Sequence, residues 1–246
     1  MKYSKIGTAT VAAAAMAVSL TLVGCSSDSK DSASTATSSA AEKSTTAKAT
    51  ESASGAPKSK LSPREATTET AGGANYSIAD YIKDQKLVET PIHRGDPGAP
   101  TIDLPFPDGW KDAGSDAPDW AYGAIVYTGP EAAEYTPSIV AIVSKLEGNV
   151  DPQKLIDNAP GELKNLPGFT EMGAGSVTTL GNFPAYQLGG TFDSEGQRKV
   201  VAQKTVVIPG KDGLYILQLN ADGLEDQLDV IGGATVDIDD KTTITP

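Results

Sequence analysis

His93 and Cys25 are the only histidine and the only cysteine in a chain of 246 residues. One cysteine excludes an intramolecular disulfide framework and Cys-rich zinc or iron–sulfur sites, and one histidine excludes metal motifs built on paired imidazoles. His93 could act as a general base only with Asp96 or a distant carboxylate, which defines a wall-acting hydrolase or acyltransferase as one reading. The chain lacks a Gly-x-Ser-x-Gly element, since Gly173-Ala174-Gly175-Ser176-Val177 has the wrong spacing. A phosphate-cradling Gly-x-x-x-x-Gly-Lys loop is also missing, and no cofactor is expected. Gln218 to Asp229 brushes the calcium-loop spacing, but Gln stands at the first ligand position and Asp at the last, so no metal is expected either. Arg94-Gly95-Asp96 and Asp237-Ile238-Asp239-Asp240 read as charged turns.

Cys25 has the stronger context. Lys2 and Lys5 form a short basic start, and a small, apolar stretch runs from Ile6 to Val23. That pattern is a secretory signal peptide, assigned to residues 1–24. It ends Leu22-Val23-Gly24-Cys25, an aliphatic residue at −3, a small one at −1 and then cysteine, which resembles the bacterial lipoprotein signal. Such a signal implies lipidation at Cys25, cleavage before it and a further acyl chain on the new amino terminus. More than one chain is needed, because each buried methylene contributes only about 0.8 kcal/mol. An uncleaved membrane helix is the alternative, weakened by the Ser, Thr and Gly content of the stretch. The expected location is the cell membrane, lipid-anchored on its extracytoplasmic face.

Beyond Cys25 the composition changes. Of the 49 residues from Ser26 to Ala74, 12 are Ser, 8 Thr and 11 Ala, with six acidic and six basic side chains and no aromatic. Such a segment cannot bury enough apolar surface to offset its ordering entropy, so residues 25–74 read as a disordered Ser/Thr/Ala-rich tether. The net charge of −12 then divides into +2 from the signal, zero from the tether and −14 from residues 75–246. An acidic domain is a poor nucleic-acid partner and repels anionic headgroups, so membrane residence must rest on the anchor.

The elements that must position any site lie within 75–246, one domain by length. Ser77 with Asp80 three residues on predicts a capped helix carrying Ile78, Tyr81 and Ile82. Short extended pieces are expected at Val88–His93 and Thr101–Leu104. Trp120–Thr128 and Ser138–Leu146 read as an antiparallel pair, apolar on both faces and therefore central in a covered sheet. Asp151-Pro152 predicts a helix split at Pro160-Gly161. Four further strands are expected near Phe169–Thr179, Ala185–Phe192, Lys199–Ile208 and Leu214–Asn220, with a bulge at Gly189-Gly190. Asp222 is expected to cap a last helix bearing Leu224, Leu228 and Ile231. This order argues an α+β fold, an antiparallel sheet covered by helices.

Several motifs then converge. Ile92-His93-Arg94-Gly95-Asp96-Pro97-Gly98-Ala99-Pro100-Thr101-Ile102-Asp103-Leu104-Pro105 continues to Pro107-Asp108-Gly109-Trp110. With Ala159-Pro160-Gly161-Glu162-Leu163, Leu166-Pro167-Gly168-Phe169, Phe183 to Gly190 and Thr242-Thr243-Ile244, this resembles the LpqN/LpqT lipoproteins of mycolic-acid-containing actinobacteria. The resemblance implies a Mog1/PsbP-like α/β/α sandwich and a non-enzymatic envelope protein. It also implies association with MmpL-type transporters and with mycolyl-trehalose traffic, trehalose mycolate being the implied ligand. No catalytic residue is carried over. Ligand contacts are expected at Trp110, Trp120, Tyr122 and Tyr135, with ordinary core packing as the alternative for each and a ligand-free structural protein as the alternative overall.

Overall fold

Alternation of apolar and polar residues builds long strands in the C-terminal half, and these organise the domain. The computed structural model describes residues 73–246. The signal peptide, Cys25 and the tether as far as residue 72 lie outside the described residues. Strands β1 (Val88–Ile92), β2 (Thr101–Asp103), β3 (Trp110–Asp112), β4 (Gly123–Tyr127) and β5 (Ser138–Glu147) come first. β6 (Thr170–Glu171), β7 (Ser176–Leu180), β8 (Phe183–Ser194), β9 (Gln197–Gly210), β10 (Gly213–Leu224) and β11 (Thr243–Thr245) follow. The helices are α1 (Ile78–Gln85), α2 (Pro152–Asn158), α3 (Pro160–Lys164) and α4 (Leu228–Lys241).

Among the described residues, nine strands form one sheet in the order β3-β4-β5-β10-β9-β8-β6, with β7 also on β8. β1 shares an edge of β5 with β4: β4 takes Ser138–Ala141 and β1 takes Val143–Glu147. Every pairing is antiparallel, and β2 and β11 make a separate two-stranded ribbon. The sheet is covered on both faces, as the apolar residues on both sides of β5 require. Ile139, Ala141, Val143, Val206, Leu217 and Leu219 pack against Ile231, Ala234 and Ile238 of α4. On the other face Leu146, Val207 and Ile216 meet Ile78, Tyr81, Leu155 and Ile156 of α1 and α2, while Leu188 and Val201 meet Leu163 of α3. This is the expected α+β arrangement, an antiparallel sheet between helices.

The helix starts follow their caps. Ser77 Oγ accepts from the Asp80 amide and the Asp80 carboxylate accepts from the Ser77 amide, a reciprocal box at α1. Asp151 caps α2 with Pro152 at its first position, and Pro160 starts α3 after a break at Ala159. At the sheet edge Gly109 holds φ +81°, in the turn where the Trp110 amide donates to the Pro107 carbonyl. A side chain there would also strike the Tyr127 ring. Trp110 thereby reaches Tyr127, ring centroids 5.7 Å apart.

Four expectations are corrected. Phe169–Thr179 is two strands, β6 and β7, separated by a turn in which the Gly175 amide donates to the Glu171 carboxylate. Gly189-Gly190 is no bulge, since β8 and β9 stay in unbroken register from Ala185–Val206 to Ser194–Gln197. Gly190 instead makes room, because a Cβ there would lie 2.5 Å from both the Phe169 ring and the Thr170 carbonyl. Asp222 is within β10 opposite Ser138, and it caps nothing: β10 runs on to Leu224 and a short 3-10 turn, Glu225–Gln227, leads into α4. The Gln227 carboxamide closes that corner, accepting from the Leu224 amide and donating to the Glu131 and Tyr135 carbonyls. Asp237–Asp240 belongs to α4, where Ile238 is buried between the acids.

Candidate functional site

The strands that carry α4 also leave part of their face open. Pleating places Gln187 and Gly189 of β8, Ala202 and Lys204 of β9, Leu219 and Ala221 of β10, and Ile139 of β5 on the α4 side. α4 packs on β10. Between Thr235, Val236, Ile238 and Asp239 of the helix and Met172 and Ala174 of the β6–β7 turn lies a cleft of about 320 Å³. Its floor is low because Gly189, Ala202 and Ala221 are small, and its walls are mostly apolar. Met172 and Val236 stand on it 41% and 59% exposed, large apolar side chains left open to solvent.

One charged pair is set into this apolar wall. Lys204, 8% exposed, extends an ammonium that lies 2.5 Å from Asp239 Oδ1 on α4. The pair ties sheet to helix and is the polar end of the cleft, with Gln187 beside it.

The opposite face carries a smaller pocket of about 150 Å³. Trp120, Val140, Ile142, Leu166 and Phe192 form its apolar part, and Ser138, Lys199, Asn220 and Asp222 its polar part. Tyr135 bridges the charges: its hydroxyl donates to Asp222, accepts from Lys199 Nζ at 3.4 Å, and its ring lies 4.6 Å from the same ammonium. Burial first, then the Asp222 charge and hydrogen bond, push the Tyr135 hydroxyl well above its ordinary range, so it is a neutral donor. Deeper on this face the Glu162 carboxylate accepts from Gln203 and Gln218.

The four aromatic residues expected to contact ligand therefore separate. Trp120 lines the small pocket, and Tyr135 touches two of its charged residues, Lys199 and Asp222. Trp110 and Tyr122 are core residues, 7% and 5% exposed. Tyr122 accepts from the Ile102 amide at 3.2 Å and donates to the Pro100 carbonyl at 3.4 Å, and Arg94 stacks on its ring at 5.5 Å. His93 closes a turn. Its amide donates to Asp96 at 2.8 Å, its ring Nδ1 lies 3.7 Å from the same carboxylate, and its Nε2 bonds the Asp119 carbonyl at 3.1 Å, an exposed pairing on a turn. Among the described residues no group of three His, Cys, Asp or Glu side chains could hold a metal, and no helix is long and apolar enough to cross a membrane.

Reading the sequence missed Lys204, Asp239, Met172 and Val236. The signal for Lys204 was present: Val200, Ala202, Lys204, Val206 and Ile208 occupy one face of one strand, and a lysine there breaks an otherwise apolar set. Asp239 carried no such mark among four consecutive residues that include three acids.

Known proteins place this geometry in context. Residues 74–245 match the family model described as "Probable lipoprotein LpqN". A curated relative, lipoprotein LpqN of Mycobacterium tuberculosis, is 55% identical over 178 residues, covering 72% of this chain and 77% of the relative. A crystal structure of LpqN, described as involved in cell envelope biogenesis of Mycobacterium tuberculosis, aligns at 55% identity with a TM-score of 0.66. That alignment covers 71% of this chain and all of the other.

Proposed function

The chain belongs to the LpqN lipoprotein family, and from that premise we propose that it is a lipid-anchored binding module that takes the acyl chain of an envelope lipid into the cleft beside α4. Cys25 supplies the anchor on the extracytoplasmic face and the tether sets the reach of the domain. The lipid is of the mycolyl-trehalose class, received from or delivered to an MmpL-type transporter, in keeping with the biogenesis role stated for the related structure. The domain works by holding lipid rather than by transforming it.

The observation that carries this reading is the cleft itself. An open, mostly apolar groove with a few convergent polar groups suits an amphiphile: the chain covers Ile139, Leu219 and Ala221, and the head meets Gln187, Lys204 and Asp239. Exposed Met172 and Val236 extend the apolar surface to the rim, and the sulfur side chain adapts to varied chains.

Native extraction of the full chain followed by mass spectrometry of bound lipid tests the proposal, with Ala202→Leu as the comparison. Leucine at this position fills the cleft floor. The expected result is an acylated lipid that leaves with the wild type and is lost from the variant at unchanged melting temperature. Lipid-free wild-type protein, or equal lipid on both, would overturn it.

A further inference from the structure

We propose that the acyl chain does not end in the cleft but threads beneath α4 into a second crevice behind Phe106, so that the domain selects amphiphiles with long chains. This rests on the acyl-binding reading above and on two walls that the cleft shares with that crevice, Ile139 and Ile238.

The two hollows lie end to end across the sheet. Gly189 of β8, Ala202 of β9, Ala221 of β10 and Ile139 of β5 stand abreast in register, and two residues further along β5 Ala141 stands opposite Gly123 of β4. From β8 to β4 is four strand spacings, about 19 Å. Gln187, Lys204 and Asp239 hold the head group at the β8 and β9 end. A chain that leaves them over Leu219 and Ala221 is already aimed at β5. Past Ile139 the floor drops again, because Gly123 has no side chain and Ala141 has a small one.

The far crevice is narrow while empty, about 20 Å³, room for one water. Its apolar walls are held unequally. Ile125, Ile139, Ala141 and Ile238 belong to the main core and are at most 8% exposed. Phe106 is 54% exposed, on the loop between β2 and β3. Pro105 and Pro107 stiffen the backbone on either side, which leaves side-chain rotation as the way for the ring to move. Turning it outward gives up little buried surface, whereas methylenes that enter behind it leave water. Arg94 closes the end: its guanidinium stacks over Tyr122 at 5.5 Å, and a Cβ on Gly123 would lie 3.2 Å from its Nη2. A long chain thus reaches apolar surface that a short one forgoes. The selection acts on chain length and asks nothing of the charge on the head.

Trehalose monoesters of octanoic and hexadecanoic acid, each with a diazirine at the last carbon, test this when crosslinked to the full chain with the protein in excess and read by peptide mass spectrometry. The octanoyl probe is expected to label α4 between Thr235 and Ile238. The hexadecanoyl probe is expected to label the loop around Phe106, and that label is expected to be lost in Gly123→Leu, which fills the far crevice against only the flexible end of Arg94. Should Gly123→Leu fail to fold, the shift of label with chain length in the wild type still decides the matter. Labels at the same α4 residues from both probes, a Phe106 label from both, or a hexadecanoyl label that Gly123→Leu leaves at Phe106 would overturn the threading inference and leave acyl binding standing. If neither probe labels α4 or the Phe106 loop, the acyl-binding reading falls with it.

Discussion

Glu162 on α3 and Gln203 on β9 meet at 3.1 Å across the helix–sheet interface, and the same carboxylate oxygen accepts from Gln218 on β10 at 2.9 Å. Gln203 donates in addition to Asn220 at 2.8 Å. These amides are almost fully buried, so the polar network is tolerable only while each member is paired. Glu162→Ala is expected to cost about 1–3 kcal/mol in urea unfolding, the penalty of leaving buried donors unsatisfied. Glu162→Gln keeps an acceptor oxygen and is expected to cost less. An alanine variant as stable as wild type would show that the network contributes nothing.

α4 carries Gly232-Gly233 in its interior, and a Cβ at either position would meet no neighbouring atom within 4 Å. Packing therefore does not require glycine there, and each one weakens the helix. Gly232→Ala and Gly233→Ala are each expected to raise stability by about 0.5–1 kcal/mol, seen as a higher melting temperature. If α4 must shift to admit a ligand chain, the double variant binds amphiphiles more slowly while melting higher.

Tyr135 gives a pH prediction. Its folded-state ionisation lies above the ordinary value of 10.0, because burial and the Asp222 carboxylate disfavour the phenolate. The folded state therefore keeps a proton that the unfolded state loses above that value. The associated stability is complete below about pH 10 and falls as pH rises past it. Denaturation at pH 9 and pH 11 should show a steeper loss for wild type than for Tyr135→Phe.

His93 tests the enzymatic alternative. His93→Ala removes a half-exposed ring that bonds the Asp119 carbonyl and lies beside the exposed Asp96 carboxylate, and should change stability by no more than about 0.5 kcal/mol. Lipid retention should be unaffected. A loss of cell-wall ester turnover in this variant would restore the hydrolase reading.

Much of the fold is legible in the residues. Ser77 with Asp80, Asp151 with Pro152, and apolar positions on both faces of β5 announce their elements because each signal is local. The errors arise where distant chain decides. Gly189-Gly190 resembles a bulge until Phe169 and Thr170 are seen to need the space. Asp222-Gly223 resembles a helix start until β9 is seen to hold β10 in register as far as Leu224. The candidate site was harder still. Trp110 and Tyr122 drew attention as large aromatics, yet aromatic type does not separate a core ring from a pocket wall. The cleft is made instead by small residues, Gly189, Ala202 and Ala221, whose shared face follows only from strand register.

The most direct test of the account is photocrosslinking of the full chain with a mycolyl-trehalose analogue bearing a diazirine on its acyl chain, read by peptide mass spectrometry. Labels are predicted on the β6–β7 turn around Met172 and on α4 around Val236, and they should disappear in Ala202→Leu. Labels confined to the pocket of Trp120 and Tyr135, or label unaffected by Ala202→Leu, would contradict it.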